Sequence, residues 1–404
     1  MATVDGVRPR VVLDLERLRH INCGLGRFCL NLAKALLEPG ERSSAECSID
    51  PVLFLPQRAG RSLEPLVSAL RPRRLAVPAL RKEAFVRWMR PLARPFLRRS
   101  RVDLWHVTHQ LSKYLPVDPR VPVLLTIHDL NFLHDAEHRD TPARIARKLA
   151  GIQKKIDRAA AITTVSQFTA DDVRAHLNVG DTPIHVIPNG MTAPPQASPQ
   201  RPAFLTSGPF LLSIGNCLWH KNFHTLLGML ENLPECRLVI AGKKATPYGR
   251  FLEEEIARRR LGSRVLMPGE VSDGDRQWLY EHCEAFLFPS LAEGFGFPVL
   301  EAMQAGKPVF CSRRTSLPEV VGNAGFFFES FEPISMAEAY RRGMQTVRRI
   351  DGFSTRQMAH AAHYSWDASA DSYRRVYQAI TRGEHADVGM PSPAAFGQDA
   401  ACAV

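Results

Sequence analysis

Short apolar runs rich in β-branched residues alternate along most of the chain with stretches whose apolar residues recur at helical spacing. This alternation predicts parallel sheets with helices on both faces, because consecutive parallel strands need a crossover that is usually a helix. The candidate strands are Val11–Leu15, Val52–Leu55, Leu104–Val107, Val123–Ile127, Ala161–Val165, His185–Ile187, Phe210–Ile214, Leu238–Ala241, Val265–Met267, Ala285–Phe288, Pro308–Cys311 and Phe326–Phe328. Helical spacing is clearest over Arg27–Leu37, Ala143–Asp157, Asn222–Leu230 and Arg250–Arg260.

The alternation pauses once, over residues 191–209, a stretch with five prolines that we interpret as an interdomain linker. The 404 residues are enough for two domains, each with its own core. We therefore predict one Rossmann-like domain over residues 1–190 and a second over 210–363. A helix is expected over 364–382, and the tail 383–404, rich in Ala, Gly, Pro and Ser, is expected to be disordered.

Composition restricts where the protein resides. No run approaches the ~18 apolar residues of a membrane span, and no apolar stretch precedes the first acidic residue. None of the eight cysteines forms a Cys-x-x-Cys pair, which favours buried, reduced thiols over disulfides or a zinc site. We expect a cytoplasmic protein.

The net charge of +11 is concentrated between Arg71 and Arg101, where Arg and Lys alternate with aromatic and aliphatic side chains. Two interpretations stay open for this stretch: a surface that docks on anionic lipid at the inner face of the cell membrane, or a solvated helical face with a few core anchors. Nucleic acid is not expected as a partner, because no nucleic-acid-binding motif accompanies the charge.

The segment richest in chemistry is PSLAEGFGFPVLE, which follows a predicted buried strand. Gly294 and Gly296 permit a tight turn, and Pro298 suits the first turn of a helix. The start of such a helix can seat a diphosphate on its free N–H groups. Glu293 and Glu301 flank this seat and could accept hydrogen bonds from a sugar and a ribose, although a lone pair of glutamates could simply compensate a helix dipole.

This segment resembles the Glu-x7-Glu motif of the GT4 family of retaining glycosyltransferases, and the similarity extends through EAMQAGKPVFCS and SLPEVVGNAG. The resemblance implies the GT-B fold, in which two Rossmann-like doubly wound domains face a cleft and a C-terminal helix crosses back to the N-terminal domain. It also implies that Glu293 contacts the donor sugar, that Phe295, Gly296 and Phe297 line the sugar and phosphate site, and that Glu301 binds the ribose.

The upstream segment SIGNCLWHKN resembles the Gly-x-x-x-Pro-Arg-Lys-Asn block of the same family, which implies that Asn216, His220 and Lys221 lie in the donor site. Lys221 matches the lysine whose ammonium would neutralise the departing nucleotide diphosphate. The chain departs from the pattern at Trp219 and His220, which replace the proline and the arginine. A neutral imidazole clamps phosphate less well, so more of that role falls on Lys221.

In the first half, Gly24 and Gly26 precede a predicted amphipathic helix and could meet the acceptor or the phosphates. This block resembles the Gly-x-Gly-Arg-[Tyr/Phe] block of mannosyltransferase-like members of the family. Arg27 could contact phosphate or lie at the surface, and both interpretations stay open.

Polar residues also follow predicted strands of the first half. His128 and Asp129 end the strand PVLLTIHDL, where they could line a ligand site or act as a core histidine and a helix cap. The family resemblance favours His128 as a contact of the donor sugar. His109, after the preceding strand, has a similar position and the same two interpretations.

The resemblance implies a retaining hexosyltransferase that acts by front-face displacement, because no carboxylate nucleophile is evident. GDP-mannose is the first choice of donor, while UDP-glucose, UDP-N-acetylglucosamine and deoxysugar nucleotides stay open. The expected acceptor is a glycan or a lipid-linked sugar of polysaccharide or lipopolysaccharide assembly. No cofactor and no metal are expected, since a cation and a helix dipole can meet the diphosphate charge.

Three alternatives remain. One is an enzyme of the same fold that transfers from a UDP- or dTDP-sugar to a soluble acceptor such as a sugar phosphate. Another is a non-catalytic relative of the same fold that acts as a binding or scaffold protein, although Lys221, Glu293 and Glu301 are all present. A nucleic-acid-binding protein is the weakest, and the oligomeric state is not predicted.

Overall fold

The computed structural model describes residues 8–20, 23–37, 49–54, 79–80, 102–116, 118–134, 140–192, 200–205, 208–384 and 386. Those residues form two compact units. Unit 1 takes its residues from 1–130, 142–190 and 365–390, and unit 2 takes its residues from 131–141, 191–364 and 391–404. The basic stretch from Arg71 to Arg101, apart from residues 79 and 80, and most of the tail after residue 383 lie outside the described residues.

Unit 1 is built on a sheet of six parallel strands in the order β2-β1-β4-β6-β7-β8. Its strands are β1 (Arg10–Asp14), β2 (Asp50–Phe54), β4 (Leu104–Val107), β6 (Val123–Ile127), β7 (Ala161–Thr164) and β8 (Ile184–Val186), with a short antiparallel pair β3 (Ala79–Leu80) and β5 (Leu115–Pro116). Its helices are α1 (Gly24–Leu37), α3 (Pro142–Ile156), α4 (Gln167–His176) and α12 (Trp366–Arg382), with a 3-10 turn at Glu16–His20. The central strands are buried throughout, as expected for a sheet covered on both faces.

Unit 2 contains a second sheet of six parallel strands, in the order β11-β10-β9-β12-β13-β14. Its strands are β9 (Leu211–Ile214), β10 (Leu238–Ala241), β11 (Val265–Gly269), β12 (Ala285–Phe288), β13 (Val309–Ser312) and β14 (Phe326–Phe328). Its helices are α2 (Asn131–His134), α5 (His224–Glu231), α6 (Pro247–Arg258), α7 (Asp273–His282), α8 (Phe297–Gln304), α9 (Leu317–Val321), α10 (Pro333–Arg349) and α11 (Phe353–Ala362), with 3-10 turns at Trp219–Lys221 and Gly322–Ala324. Within the described residues, none of the helices is both long and apolar enough to span a bilayer.

Polar side chains fix where several helices begin. The Ser166 hydroxyl accepts the N–H of Thr169 at the start of α4, and Ser272 and Asp275 form a reciprocal capping box at the start of α7. Ser365 caps α12 through the N–H of Ala368. These caps satisfy N–H groups that lack partners inside the helix.

The C-terminal helix α12 is tied to the sheet of unit 1 by a buried polar network. The Tyr377 hydroxyl lies 2.8 Å from Nδ1 of His106, and Nε2 of His106 lies 2.7 Å from the Thr126 hydroxyl. Thr126 in turn contacts the Thr163 hydroxyl at 2.7 Å. Burial, and to a lesser degree His128, lowers the pKa of His106 to about 3, so the ring is neutral at pH 7.

Three details of the fold can be compared with the sequence-based expectation. Gly24 and Gly26 do not precede the first helix but form its first turn, because α1 already begins at Gly24. The predicted strands agree with the observed ones to within about two residues, the usual uncertainty of element ends. The six described cysteines are all free, and all but Cys23 are buried.

Candidate functional site

Two loops of unit 2 meet at the carboxyl edge of its sheet. One follows β9 and ends in the 3-10 turn that carries Lys221, and the other follows β12 and carries Glu293. The His220 carbonyl oxygen joins them, because it accepts the N–H of Leu291 at 2.6 Å and lies 3.0 Å from the Ser290 hydroxyl. Residues far apart in sequence are thereby brought to one point.

Lys221 and Glu293 form an ion pair at this point. Nζ of Lys221 lies 2.5 Å from Oε1 of Glu293, and each side chain is only 12% exposed. The Ser290 hydroxyl lies 2.5 Å from the same carboxylate oxygen, and the ammonium sits 4.9 Å from the centre of the Phe288 ring. This arrangement holds a cation and a carboxylate together in a largely dry environment. In such an environment either group can interact strongly with a charged or hydroxylated ligand.

The surroundings keep Glu293 ionised. Burial on its own would raise the pKa of the Glu293 carboxyl, but the charge of Lys221, the electrostatic effect of His220 and the hydrogen bonds from Lys221 and Ser290 outweigh burial. The net effect is a pKa below the usual range. At neutral pH the group is therefore a hydrogen-bond acceptor, suited to sugar hydroxyls.

A loop after β13 holds the backbone of Glu293 from both sides. The Glu293 N–H donates to the Thr315 hydroxyl at 3.0 Å, and the Ser316 hydroxyl lies 2.9 Å from the Glu293 carbonyl oxygen and 3.2 Å from that of Phe295. Thr315 adopts a φ of 50°, which is strained for a β-branched residue. A strained residue that binds the backbone of a site carboxylate points to a role in positioning it.

The turn between Glu293 and α8 depends on one glycine. Gly296 precedes the helix with a φ of 109°, and a Cβ atom there would lie 2.8 Å from Cδ2 of Leu317. Helix α8 then begins at Phe297 with Pro298 in its first turn, as the sequence predicted. Its first N–H groups point out of the helix start, which is the arrangement that binds anions.

Glu301 lies within α8, on the same side as helix α7. Its Oε2 accepts a hydrogen bond of 2.8 Å from the hydroxyl of Tyr280, a buried residue of α7. The Tyr280 hydroxyl therefore fixes the orientation of this carboxylate, and the sequence pattern gave no sign of that partner.

The two departures from the family pattern have different surroundings. Trp219 packs its ring 4.6 Å from that of Tyr248 and 5.0 Å from that of Phe251, so it anchors the turn before Lys221 in an aromatic cluster. His220 is buried and supplies its carbonyl to the loop after β12, while Asn216, in the same loop, is exposed. Trp219 thus has a packing role, and the backbone of His220 joins two loops.

In unit 1, His128 lies at the carboxyl end of β6 and is buried. Its Nε2 lies 2.9 Å from the Thr108 carbonyl oxygen, which assigns the proton to Nε2, and its ring is nearly perpendicular to that of Phe28, with 4.5 Å between the ring centroids. Burial lowers the pKa of His128 to about 4; the hydrogen bond to Thr108 opposes this shift and the Arg17 charge adds to it. The imidazole is neutral at pH 7.

His109 lies beside His128, with the two ring centroids 6.0 Å apart. Its Nδ1 accepts the backbone N–H of Leu111 at 3.0 Å and a guanidinium N–H of Arg17 at 3.2 Å. Burial, the Arg17 charge and His128 hold the pKa of His109 well below its usual value. Two neutral histidines therefore share the carboxyl edge of this sheet.

The other candidates of unit 1 lie nearby in the fold. The Asp129 carbonyl accepts an N–H of Gln110 at 2.8 Å, and the Gln110 side-chain oxygen accepts the N–H of His128 at 3.2 Å. Arg27 and Gly24 lie in the first turns of α1, where Gly24 is exposed and Gly26 is buried.

Asp14 is a polar residue of this edge that the sequence analysis missed. It ends β1, is 1% exposed, and accepts the N–H of Glu16 at 3.0 Å and a hydrogen bond from the Ser112 hydroxyl. The available signal was an acidic residue within the predicted apolar strand Val11–Leu15. In unit 2 the overlooked residues were hydroxyls, Ser290, Thr315 and Ser316, which follow strands.

Two family models match the chain. The model described as Glycosyltransferase Family 4 matches residues 23–193, and the model described as Glycosyl transferases group 1 matches residues 196–346. Together they cover every strand of the two six-stranded sheets except β1.

Similar proteins are known in sequence and in structure. The chain is 25% identical over 393 residues to O-antigen chain mannosyltransferase B of Escherichia coli, covering 92% of this chain and 100% of that protein. It is 24% identical over 245 residues to O-antigen chain mannosyltransferase RfbU of Salmonella typhimurium, covering 60% of this chain and 65% of that protein. The structure of Anabaena HepE in complex with UDP and glucose superposes with a TM-score of 0.67 at 17% identity, over 92% of this chain and 100% of that one.

Proposed function

The chain belongs to the GT4 family of glycosyltransferases with the GT-B fold, and on that premise we propose that it transfers a mannosyl group from GDP-mannose. The transfer proceeds with retention of configuration. The acceptor is a glycan or a lipid-linked acceptor of O-antigen or related polysaccharide assembly. The names of its sequence relatives support the sugar and the process, because O-antigen chain mannosyltransferase B matches the chain along almost its whole length. The likeness to HepE supports the fold.

One observation carries the proposal: the largely buried pair of Lys221 and Glu293 lies at the carboxyl edge of the unit 2 sheet, the edge where nucleotides bind in open α/β sheets. The loop that carries Glu293 leads directly into the start of helix α8. A cation and a helix N-terminus suit the charged diphosphate of a nucleotide-sugar, and a carboxylate suits its sugar hydroxyls.

The chemistry assigned to these residues is stabilisation of the leaving group. As the bond between the anomeric carbon and the diphosphate breaks, negative charge grows on the diphosphate, and the Lys221 ammonium and the N–H groups of α8 neutralise it. Glu293 accepts hydrogen bonds from the sugar hydroxyls and orients the sugar. The acceptor hydroxyl attacks from the same face from which the diphosphate departs, and its proton passes to an oxygen of the departing diphosphate. Attack on that face retains the configuration.

Glu301 and His128 are each assigned a contact with the donor. Glu301, oriented by Tyr280, is assigned to the ribose hydroxyls. His128 carries its proton on Nε2, where it binds the Thr108 carbonyl, so Nδ1 is the nitrogen with a lone pair. We assign His128 to a donor-sugar hydroxyl that can donate to that nitrogen.

A donor screen tests the proposal. Thermal unfolding is measured with GDP-mannose, UDP-glucose and UDP-N-acetylglucosamine, and a true donor at about 100 times its dissociation constant should stabilise the fold by about 2.7 kcal/mol. GDP-mannose is expected to give the largest shift. A larger shift with a UDP-sugar would overturn the choice of donor, and no shift with any nucleotide-sugar would overturn the proposed function.

The stereochemistry is tested on the product. The anomeric proton of the newly attached sugar is followed by NMR during turnover with a soluble glycan acceptor. The first product formed should have the same anomeric configuration as the donor. An inverted first product would contradict the assigned mechanism while leaving the donor assignment intact.

A further inference from the structure

Three neighbouring strands of unit 1 bring Arg17, His109 and His128 to the carboxyl edge of the sheet. Arg17 lies in the 3-10 turn after β1, His109 lies two residues after β4, and His128 directly follows β6. Strand β4 pairs with both β1 and β6, so the three residues follow adjacent strands. The ring centroids of the two histidines are 6.0 Å apart, with 28° between the ring planes. At hydrogen-bond lengths of about 2.8 Å, one small ligand can contact both rings.

The hydrogen bonds of His109 fix which of its ring nitrogens carries the proton. Its Nδ1 lies 3.2 Å from a guanidinium nitrogen of Arg17 and 3.0 Å from the backbone nitrogen of Leu111. A guanidinium and a backbone N–H can only donate, so Nδ1 is the acceptor. Because the ring is neutral at pH 7, its single proton is on Nε2. That nitrogen is therefore a hydrogen-bond donor.

His128 offers the opposite group. Its Nε2 lies 2.9 Å from the Thr108 carbonyl oxygen, which can only accept, so Nε2 carries the proton and Nδ1 carries a lone pair. Within the described residues, neither Nδ1 of His128 nor Nε2 of His109 has a hydrogen-bond partner. The two residues are only 5% and 4% exposed. Since a largely buried polar nitrogen without a partner is unfavourable, both nitrogens are suited to bind a ligand group.

A donor beside an acceptor favours one chemical class of ligand. Hydroxyl groups can accept from His109 and donate to His128, because each hydroxyl has both a proton and lone pairs. A phosphate or a carboxylate can accept from His109 but has no proton for the lone pair of His128. A cationic amine would be repelled by the Arg17 guanidinium, which lies 3.2 Å from the His109 ring. Neutral sugar hydroxyls therefore fit the two histidines best.

We propose that His109 determines specificity for the transferred sugar by donating from Nε2 to a hydroxyl adjacent to the one that His128 binds. This inference rests on the proposed function, which assigns His128 to the donor sugar. The two histidines then recognise neighbouring hydroxyls of one sugar, one as an acceptor and the other as a donor. A donor that lacks either hydroxyl should be a poorer substrate.

The test combines a variant with altered donors. His109→Leu removes the Nε2 donor. Its matched control is His176→Leu, which replaces an exposed histidine at the end of α4, a helix that follows β7 and returns to the opposite edge of the sheet. The value of kcat/KM is measured with GDP-mannose and with each of its monodeoxy analogues, which lack one sugar hydroxyl. Thermal unfolding shows that each variant is folded.

Removing the hydroxyl that His109 binds should lower kcat/KM about three- to tenfold for wild type and for the control. His109→Leu should show a loss of similar size with GDP-mannose and little further loss with that one analogue. The losses are then not additive, which identifies an interaction between the side chain and the hydroxyl. The proposal is overturned if every analogue suffers the same loss with His109→Leu as with wild type.

A second measurement reports the proton positions without any donor. In full-length protein labelled with 15N, the chemical shifts of the imidazole nitrogens distinguish protonated from unprotonated nitrogens. The signals that disappear in His109→Gln belong to His109. At pH 7 its Nε2 should be protonated and its Nδ1 unprotonated. The opposite tautomer, or a doubly protonated ring, would overturn the proposal even if His109→Leu failed to fold.

Failure of the proposed function would give a different result. A wild-type protein that consumes no GDP-mannose overturns the choice of donor. The comparison is then made with the nucleotide-sugar that stabilises the fold most and with its monodeoxy analogues. Additive losses in an active enzyme overturn the role of His109 alone and leave the proposed transfer standing.

Discussion

The ammonium of Lys221 lies 2.5 Å from the carboxylate of Glu293, although 72 positions separate the two residues in sequence. In the absence of a ligand each neutralises the other. In the proposed function a donor offers both groups new partners, the diphosphate for the lysine and the sugar hydroxyls for the glutamate. We therefore expect the pair to exchange partners when a donor binds.

Replacing one member of the pair should expose this exchange. Glu293→Gln leaves a largely buried ammonium without its carboxylate and should lower the free energy of unfolding by about 1–3 kcal/mol. GDP should then raise the melting temperature of the variant by more than that of wild type, because its diphosphate no longer competes with Glu293 for Lys221. Equal shifts in a thermal scan would show that diphosphate and Glu293 do not compete.

The strained Thr315 offers a second prediction. Thr315→Gly relieves the positive φ but removes the hydroxyl that accepts the Glu293 N–H, whereas Thr315→Ser keeps the hydroxyl. We expect Thr315→Gly to lower kcat about tenfold with little loss of stability, since one misplaced contact costs about 1.4 kcal/mol in the transition state. Thr315→Ser should retain kcat; if the serine variant were as slow as the glycine variant, the hydroxyl would have no positioning role.

The hydrogen bond between Tyr280 and Glu301 gives a prediction about donor affinity. Tyr280→Phe removes one hydroxyl and keeps the buried ring, so stability should change by no more than about 1 kcal/mol. If Glu301 binds the ribose, the looser carboxylate should raise the KM for the donor about three- to tenfold and leave kcat nearly unchanged. A fall in kcat at constant KM would instead place Glu301 in the chemical step.

The buried His106 predicts an acid sensitivity of unit 1. Its folded-state pKa of about 3 lies below the usual value of about 6.5, so the unfolded chain takes up the proton first as the pH falls. Its contribution to stability is therefore complete above about pH 6.5 and is lost progressively towards pH 3, at up to about 1.4 kcal/mol per pH unit. The free energy of unfolding, measured with denaturant, should fall less steeply with decreasing pH for His106→Asn than for wild type. An unchanged slope would assign the acid sensitivity to other groups.

Much of the fold could be predicted because the pattern that encodes it is local. Apolar runs such as Val123–Ile127 and Ala285–Phe288 are strands, since a strand buried on both faces leaves a continuous hydrophobic signature. The start of α8 at Phe297 followed from Gly296 and Pro298, whose conformational preferences act within one turn.

The contacts within the site could not be predicted in the same way. Tyr280 meets Glu301 and Thr315 meets Glu293 only because different strand–helix connections end at one sheet edge, and their spacing in sequence does not encode those distances. Trp219 was interpreted as a departure from a motif. Its role in the cluster with Tyr248 and Phe251 depends on how α6 packs, which no local pattern shows. Asp14 was missed because one acidic residue at the end of a strand is a common feature.

The most direct test of the central claim is the rate of GDP-mannose consumption by Lys221→Ala, measured with a soluble acceptor at saturating donor. The control is Lys34→Ala, which removes an exposed lysine from the last turn of α1. If Lys221 neutralises the departing diphosphate, kcat should fall by about 10²–10³ relative to both wild type and the control. A folded Lys221→Ala variant whose kcat lies within about twofold of wild type would contradict the account. Loss of an interaction that stabilises the transition state changes kcat by more than twofold.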